Sequence, residues 1–185
     1  MSLSGLILKL AGWKVDITQP DYPKSIVCVA PHTSNWDFVL CKFAYAAAGR
    51  KAGFLMKESW FFFPLGIVLR AIGGIPVPRR NKKEKTSLVS AIVERFNHSH
   101  RLTIAITPEG TRSRTAQWHS GFLRIAMEAR IPILLGAIDY PTRHMYITDT
   151  FHPTGDIEAD MREIKRYYSR FTGLYKDKFC TDNDA

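Results

Sequence analysis

Long apolar runs are missing from this 185-residue chain. No stretch reaches the ~20 residues that a helix needs to cross the hydrocarbon core of a bilayer. The first residues also lack the basic segment and small-residue cleavage site of a secretory signal peptide. We therefore expect a cytoplasmic protein, with any membrane contact made peripherally on the inner face of the cell membrane.

Cysteine is scarce, and the motifs of several enzyme classes are absent. The three cysteines show no CxxC spacing, and Cys28 and Cys41 stand among apolar neighbours. They are typical of small core residues in a reducing compartment, so no metal site is expected. The chain has no GxSxG elbow, no GxGxxG loop and no Walker motif, which excludes the common serine-nucleophile and nucleotide-binding patterns.

Acidic residues are outnumbered by basic ones, 17 to 26, which gives a formal net charge of +9. This balance favours an anionic partner: nucleic acid, a phosphate-bearing small molecule, an anionic lipid surface or an acidic carrier protein. A solvated basic surface without a partner is the plainer alternative. Because the basic residues are spread along the chain without a recognised binding motif, we expect no nucleic-acid partner.

Apolar periodicity predicts one α/β domain over residues 1–185, with a mixed, largely parallel sheet flanked by helices. The expected strands span 13–18, a segment ending at 30, 53–57, 102–107, 133–139 and 144–148. Residues 73–80 are expected to be extended, because two prolines exclude a regular helix. The expected helices span 1–13, 36–48, 85–97, 122–129 and 157–171. Residues 180–185 are expected to form a disordered tail.

Two apolar segments leave alternatives open. Residues 1–13 are expected to form an amphipathic helix whose apolar positions recur at helical spacing, and it could cover the core or lie in a membrane interface. Residues 60–63 place four large side chains in a row, more than one helix face can bury. That segment is either deeply buried or an exposed patch for lipid.

The segment VCVAPHTSNWDF, residues 27–38, carries the clearest candidate for chemistry. A buried strand is expected to end at Pro31, and the turn and cap residues that follow predict a helix beginning near Trp36. His32 then sits at the carboxyl edge of a strand, with Asp37 in the first helical turn. A carboxylate there can hold one imidazole nitrogen and leave the other free as a general base.

The same spacing recurs at His144 and Asp149, within a segment that alternates like a strand. Residues five apart on a strand point to opposite faces, so we predict that this second pair does not meet. His32 could also be a structural histidine, and Asp37 could simply favour a helix N-terminus.

Ligands in open α/β sheets collect beyond the carboxyl ends of strands. Several further polar residues follow expected strand ends: Lys57, Arg79, Arg80, Glu109, Thr111 and Arg112. One base, one orienting carboxylate and several cations facing a common space suit deprotonation of a hydroxyl on a phosphate-bearing substrate. Each of these residues taken alone is also compatible with ordinary surface or turn chemistry.

Four segments in order, PHTSNWD, GGIPVPR, TPEGTR and IPILLGA, resemble the sequence blocks of the glycerolipid acyltransferase superfamily. The resemblance covers about residues 13–139 and implies the fold of the glycerol-3-phosphate acyltransferases. It implies transfer of a fatty acyl group from acyl-CoA or acyl-carrier protein to a hydroxyl of a lysophospholipid such as 1-acylglycerol-3-phosphate. Attack is direct, without an acyl-enzyme, and no metal or other cofactor is implied.

The resemblance also implies a role for each matching residue. His32 would be the general base, oriented by Asp37. Lys57 and Arg79 would bind the acceptor phosphate. Glu109 and Arg112 would shape the acceptor pocket, with Gly110 and Thr111 completing the turn. Pro132 matches the proline of the last block.

Some positions depart from the family pattern. Pro76 and Pro78 replace the aromatic and acidic residues that are usual in the second block, and Thr107 stands where Phe is usual. Acceptor recognition is therefore expected to differ, and acylation of a lyso-aminolipid without phosphate is an alternative. A non-catalytic protein that binds anionic membranes is a second one.

Overall fold

Seven strands and six α-helices build the protein, as seen in a computed structural model that describes residues 2–77 and 84–181. The strands are β1 (Lys14–Ile17), β2 (Lys24–Ala30), β3 (Gly53–Lys57), β4 (Gly74–Val77), β5 (Leu102–Ile106), β6 (Ile133–Asp139) and β7 (His144–Phe151). The α-helices are α1 (Leu3–Leu10), α2 (Asn35–Ala47), α3 (Leu65–Ala71), α4 (Glu84–His98), α5 (Gly121–Ala129) and α6 (Ile157–Tyr168). Short 3-10 turns cover Glu58–Trp60 and Lys176–Lys178. Arg79 and Arg80 lie outside the described residues.

The strands form one sheet in the order β1-β7-β6-β2-β5-β3-β4. All neighbouring pairs are parallel except β6 and β7, which are antiparallel. The predicted α/β fold with a mixed, largely parallel sheet is therefore confirmed. Strand β2 lies at the centre, with β6 and β5 on its two sides.

The apolar content of β2 and β6 follows from burial on both faces of the sheet. Ile26 and Cys28 point into a core shared with helices α4, α5 and α6. Val27 and Val29 point to the other face, where α1 and α2 contribute Leu8 and Tyr45. Strand β2 is therefore packed on both faces, and this packing positions the residues that follow it.

The N-terminal helix is shorter than the predicted span, and its apolar stripe faces away from the core. It ends at Leu10, and only Leu8 on it is buried. Leu3 and Leu10, which belong to the predicted stripe, are 74% and 80% exposed. Helix α1 therefore packs on the core through the face that carries Leu8, and the predicted apolar stripe is exposed to solvent.

The second apolar segment, residues 60–63, is also exposed. Trp60, Phe62 and Phe63 are 54%, 57% and 83% exposed, and Ile67 and Val68 on the following α3 are open as well. Of the two alternatives, the structure shows the exposed patch. Within the described residues, no helix has the length and apolar character needed to cross a membrane.

The end of the chain corrects one expectation. Cys180 and Thr181, which the sequence assigned to a disordered tail, are 9% and 1% exposed. The indole nitrogen of Trp118 donates a 3.2 Å hydrogen bond to the carbonyl of Cys180, which ties this segment to the core. The remaining tail residues, 182–185, lie outside the described part.

Candidate active site

The carboxyl ends of three adjacent parallel strands bring the candidate residues to one edge of the sheet. His32 follows the central β2, Glu109 follows its neighbour β5, and Lys57 ends the next strand, β3. Neighbouring strands lie about 4.7–4.9 Å apart, so the loops after β2 and β5 are in contact. His32, Glu109 and Lys57 thus follow or end neighbouring parallel strands at one edge of the sheet.

Asp37 is the most enclosed charged group at this edge, with 1% of its surface exposed. Its Oδ2 accepts hydrogen bonds from the backbone N–H groups of Thr33 and Ser34, at 2.7 and 2.8 Å. Ser34 is the N-cap residue of α2, and its Oγ accepts a 3.2 Å hydrogen bond from the backbone N–H of Trp36. Together with the Asp37 carboxylate, this side chain forms a capping box. The turn residues between His32 and the helix therefore fix the orientation of the carboxylate.

His32 faces this carboxylate. Its Nδ1 lies 3.3 Å from Oδ2 of Asp37, and the histidine side chain is 19% exposed. No residue in the described part of the chain bonds to Nε2 of His32. One nitrogen is thus directed at a buried carboxylate while the other is available to a substrate proton, which is the arrangement that a general base requires. Capping and histidine orientation, which the sequence posed as alternatives for Asp37, coexist.

Glu109 connects the loop after β5 to the histidine loop. Its Oε1 accepts a 2.8 Å hydrogen bond from the backbone N–H of His32, and the residue is only 5% exposed. Its other oxygen, Oε2, is buried without a hydrogen-bond partner among the described residues. Burial raises the pKa of Glu109 to about 7, against the opposing effects of the His32 amide and imidazole. Glu109 is therefore a buried acid next to His32.

The turn after Glu109 is tightly built. Gly110 has a φ of +63°, and a Cβ placed on it would lie 2.5 Å from the ring of His119. Oγ1 of Thr111 accepts from the N–H of Ser113 at 3.2 Å. The Arg112 guanidinium donates a hydrogen bond to Oδ1 of Asn35, the first residue of α2. An added Cβ at Gly110 would require the His119 ring to move, and the arginine links this turn to α2.

Two further candidates from the sequence, Lys57 and Arg79, are not among the residues that the structure shows in contact at this site. Lys57 is exposed at the end of β3, two strands away from His32. Arg79 lies outside the described residues. The structure gathers His32, Asp37, Glu109 and Arg112 but does not bring Lys57 into contact with them.

Sequence reasoning missed Tyr140, whose hydroxyl donates a 2.6 Å hydrogen bond to Oδ1 of Asp37. Tyr140 directly follows β6, so its position after a strand end was a usable signal. Sequence reasoning also missed His119, which covers Gly110. Its contact with Gly110 depends on the path of the loop between them, which no spacing predicts.

Two cavities adjoin the site. An apolar cavity of about 170 Å³ lies beneath α2, with Phe38, Cys41, Val29 and Gly136 in its wall. A polar pocket of about 620 Å³ lies beside the turn after β5, with Glu109, Thr111, His119 and Lys165 in its wall. The first has the character of a site for a hydrocarbon group and the second that of a site for polar groups.

Cys28 and Cys41 do not supply a nucleophile. Cys28 and Cys41 are not in a disulfide. Desolvation raises the pKa of both thiols, that of Cys41 to about 12, so neither is a thiolate at neutral pH. In the described ranges, no group of three or more His, Cys, Asp or Glu side chains is arranged to hold a metal ion.

The second His–Asp spacing behaves as predicted. His144 does not meet Asp149; its Nε2 lies 2.8 Å from Oδ2 of Asp16 on the neighbouring strand. Asp149 instead accepts a hydrogen bond from the hydroxyl of Thr148. The pair at 144 and 149 is confirmed as a coincidence of spacing.

An α/β sheet with a buried carboxylate orienting a histidine at its carboxyl edge defines a class of proteins suited to proton abstraction from a substrate hydroxyl. Comparison with known proteins identifies the family. The Acyltransferase family matches residues 14–139, and the chain belongs to that family. The resemblance to the glycerolipid acyltransferase superfamily is thereby confirmed.

The relatives are bacterial proteins named 1-acyl-sn-glycerol-3-phosphate acyltransferase. That of Haemophilus influenzae is 28% identical over 137 residues, which covers 70% of this chain and 55% of the relative. That of Salmonella typhimurium is 28% identical over 138 residues, and that of Escherichia coli 26% over 137, each covering 70% of this chain and 54% of the relative. The matched part of the chain therefore spans about half the length of these relatives. No solved structure gives a significant match.

Proposed function

We propose that this protein is an O-acyltransferase of phospholipid biosynthesis. It transfers a fatty acyl group from acyl-CoA or acyl-carrier protein to a hydroxyl of a lysophospholipid such as 1-acylglycerol-3-phosphate. The observation that carries the proposal is the contact between His32 Nδ1 and the buried carboxylate of Asp37, in a chain that belongs to the Acyltransferase family.

The proposed reaction is a direct displacement. Nε2 of His32 takes the proton of the acceptor hydroxyl as its oxygen attacks the carbonyl carbon of the thioester. The tetrahedral intermediate collapses with cleavage of the carbon–sulfur bond, and the proton on His32 passes to the departing thiolate. An ester and a free thiol result. Asp37 keeps the ring oriented and stabilises the transient positive charge.

The acceptor side of the proposal rests on the cations at the sheet edge. Lys57 and Arg79 are proposed to bind the acceptor phosphate, and Arg112, Gly110 and Thr111 to shape the pocket. Oε1 of Glu109 already accepts a hydrogen bond from the backbone N–H of His32. We therefore assign it to holding the two loops together at the acceptor pocket.

The acyl side rests on the apolar cavity beneath α2. Phe38 and Cys41 in its wall belong to the same helix as Asp37. A cavity lined by apolar side chains favours a hydrocarbon chain, because each buried CH₂ contributes about 0.8 kcal/mol. We propose that the end of the fatty acyl chain enters this cavity while the thioester stays near His32.

Peripheral membrane attachment fits the amphiphilic substrates. We propose that the exposed patch of Trp60, Phe62 and Phe63 enters the interface of an anionic leaflet, helped by the net charge of +9. Phe63→Ser should weaken sedimentation with phosphatidylglycerol vesicles at low salt, while the fold is unchanged because Phe63 is 83% exposed. Equal sedimentation of the variant and the parent protein would contradict this attachment.

The alternative acceptor is a lyso-aminolipid, which would undergo the same chemistry without a phosphate. It is favoured by Pro76, an exposed residue of β4 that departs from the family pattern. The second candidate function is a non-catalytic protein that binds anionic membranes, and the observation in its favour is the exposed apolar patch.

One experiment separates these possibilities. The protein is incubated with labelled acyl-CoA or acyl-carrier protein and a panel of lysophospholipids and lyso-aminolipids, and products are identified by mass. We expect a diacyl phospholipid. A product only from lyso-aminolipids would select the alternative acceptor. Vesicle binding without any acylated product would overturn the enzymatic proposal.

A further inference from the structure

Asp37 accepts a third hydrogen bond, which the proposed reaction does not use. Oδ2 serves the loop N–H groups and faces His32, while Oδ1 accepts from the hydroxyl of Tyr140 at 2.6 Å. Because Asp37 is 1% exposed, bulk water does not reach the carboxylate to replace a lost donor. The phenol thus satisfies the half of the carboxylate that the loop leaves open.

We propose that Tyr140 is a positioning residue for the His32–Asp37 pair: its hydroxyl fixes the plane of the Asp37 carboxylate so that Oδ2 stays directed at His32. The inference rests on the proposed function for its catalytic consequence. The loop N–H groups hold the carboxylate through Oδ2, but they do not contact Oδ1. The phenol donates to Oδ1 and so adds a second restraint on the plane of the carboxylate, as orientation of a general base requires.

Tyr140 is itself held by three contacts that involve no substrate. Its backbone N–H donates to the carbonyl of Thr172 at 3.0 Å, and its own carbonyl accepts from Arg143 at 3.2 Å. Its ring meets Trp13 edge to face, with centroids 5.1 Å apart and planes at 89°. The hydroxyl is therefore in place before any ligand binds.

The sheet topology explains why this residue reaches Asp37. Strands β2 and β6 are parallel neighbours, and Ala30 pairs with Ala137. His32 lies two residues beyond Ala30, and Tyr140 lies three residues beyond Ala137. Both residues therefore lie at the same edge of the sheet. Burial raises the pKa of Tyr140 well above its usual range, and the hydrogen bond to Asp37 adds to this, so the phenol remains a donor.

Tyr140→Phe tests the proposal, with Tyr168→Phe as a matched control. Tyr168 also donates a buried 2.6 Å hydrogen bond, but to the backbone carbonyl of Cys28 in the core. We expect Tyr140→Phe to lower kcat about tenfold, the low end for losing a hydrogen bond to a charged group, with KM little changed. Tyr168→Phe should lower stability and keep the parent kcat.

A double-mutant cycle shows whether Tyr140 acts through Asp37. In an Asp37→Asn background, adding Tyr140→Phe should change kcat less than about twofold, because the group that the phenol orients is already altered. The same tenfold loss in both backgrounds, or parent kcat in the single variant, would overturn the proposal.

A readout without turnover separates this inference from the proposed function. The ring ¹⁵N resonances of His32 should shift in Tyr140→Phe and stay at parent positions in Tyr168→Phe. If the parent protein forms no acylated product, the proposed function fails, and these resonances still decide the positioning role. Unchanged His32 resonances in Tyr140→Phe would refute it.

Discussion

Two histidine–aspartate pairs are in contact within residues 2–77 and 84–181, and the pair with the shorter contact is the one less suited to catalysis. His144 lies 2.8 Å from Asp16, whereas His32 lies 3.3 Å from Asp37. Asp16 is 55% exposed as a side chain and Asp37 is 1% exposed. Solvent screens the exposed carboxylate of the first pair, while protein groups enclose the carboxylate of the second. Enclosure, rather than distance, distinguishes the two.

The difference originates in where each pair sits in the sheet. His144 and Asp16 lie on neighbouring parallel strands, where His144 pairs with Lys14 and Asp16 pairs with Tyr146. They are diagonal cross-strand neighbours, a common surface arrangement. His32 and Asp37 lie on one loop and the helix that it starts, so the backbone of that loop supplies donors to the carboxylate. A loop at a strand end can enclose a charge in a way that an edge of the sheet cannot.

The largest difference in kcat is expected between variants that neutralise the aspartate of one pair or of the other. Asp37→Asn should lower kcat about 100-fold or more, because an amide can neither orient His32 as a carboxylate does nor balance its charge in the transition state. Asp16→Asn should keep the parent kcat. Steady-state turnover on the best acceptor measures both.

Asp37 also closes the capping box of α2, so Asp37→Asn is expected to cost on the order of 1 kcal/mol of unfolding free energy. Denaturant unfolding separates that cost from the loss of turnover. Similar losses of kcat in Asp37→Asn and Asp16→Asn would remove the distinction between the pairs.

The next effect concerns the buried acid beside His32. Folded Glu109 keeps its proton up to a pKa of about 7, whereas an unfolded glutamate releases it near 4.5. The folded state therefore binds more protons between these values, and its stability falls as pH rises through that window. A 2.5-unit difference corresponds to a change on the order of 3 kcal/mol.

Glu109→Gln removes this titration while an amide oxygen can still accept from the His32 N–H. We expect the stability of the parent protein relative to Glu109→Gln to decrease from pH 5 to pH 8, as measured by urea unfolding at each pH. A constant difference between the two proteins across that range would show that Glu109 titrates normally in the fold.

The smallest effect compares two glycines with positive φ. Gly110 in the site has a φ of +63° and lies under His119, while Gly49 has a φ of +73° and open space around its Cβ position. Gly49→Ala should cost about 1 kcal/mol of unfolding free energy from backbone strain alone. Gly110→Ala should cost about 1–2 kcal/mol more, because His119 must move. Thermal unfolding measures both, and equal costs would mean that the site turn is no more tightly packed than the surface.

Much of the fold and part of the site could be predicted from local pattern. Buried strands read as apolar runs, and polar residues after them predicted one edge of the sheet. The rejection of the pair at His144 followed from the prediction of a strand there, although a register shift at Thr148 interrupts the two-residue alternation. His32 and Asp37 lie close together in sequence, so turn and cap residues sufficed to place them.

The remainder depends on contacts distant in sequence. Tyr140 reaches Asp37 across 103 positions and Asp16 meets His144 across 128. Neither contact can be predicted from the spacing of residues that are neighbours in the sequence. The helical stripe of α1 was detected, but periodicity does not say which face packs on the core, and Leu8 does so. Likewise, the bond between Glu109 and the His32 amide required the strand order β2–β5.

The most direct test of the account compares His32→Ala with His144→Ala in transfer of a labelled acyl group to the accepted lysolipid. Both changes remove a histidine from a contact with an aspartate. We predict that His32→Ala loses about 10²–10⁴-fold in kcat while His144→Ala retains the parent rate, with both variants folded by circular dichroism. Transfer at the parent rate by folded His32→Ala would contradict the assignment of His32 as the base.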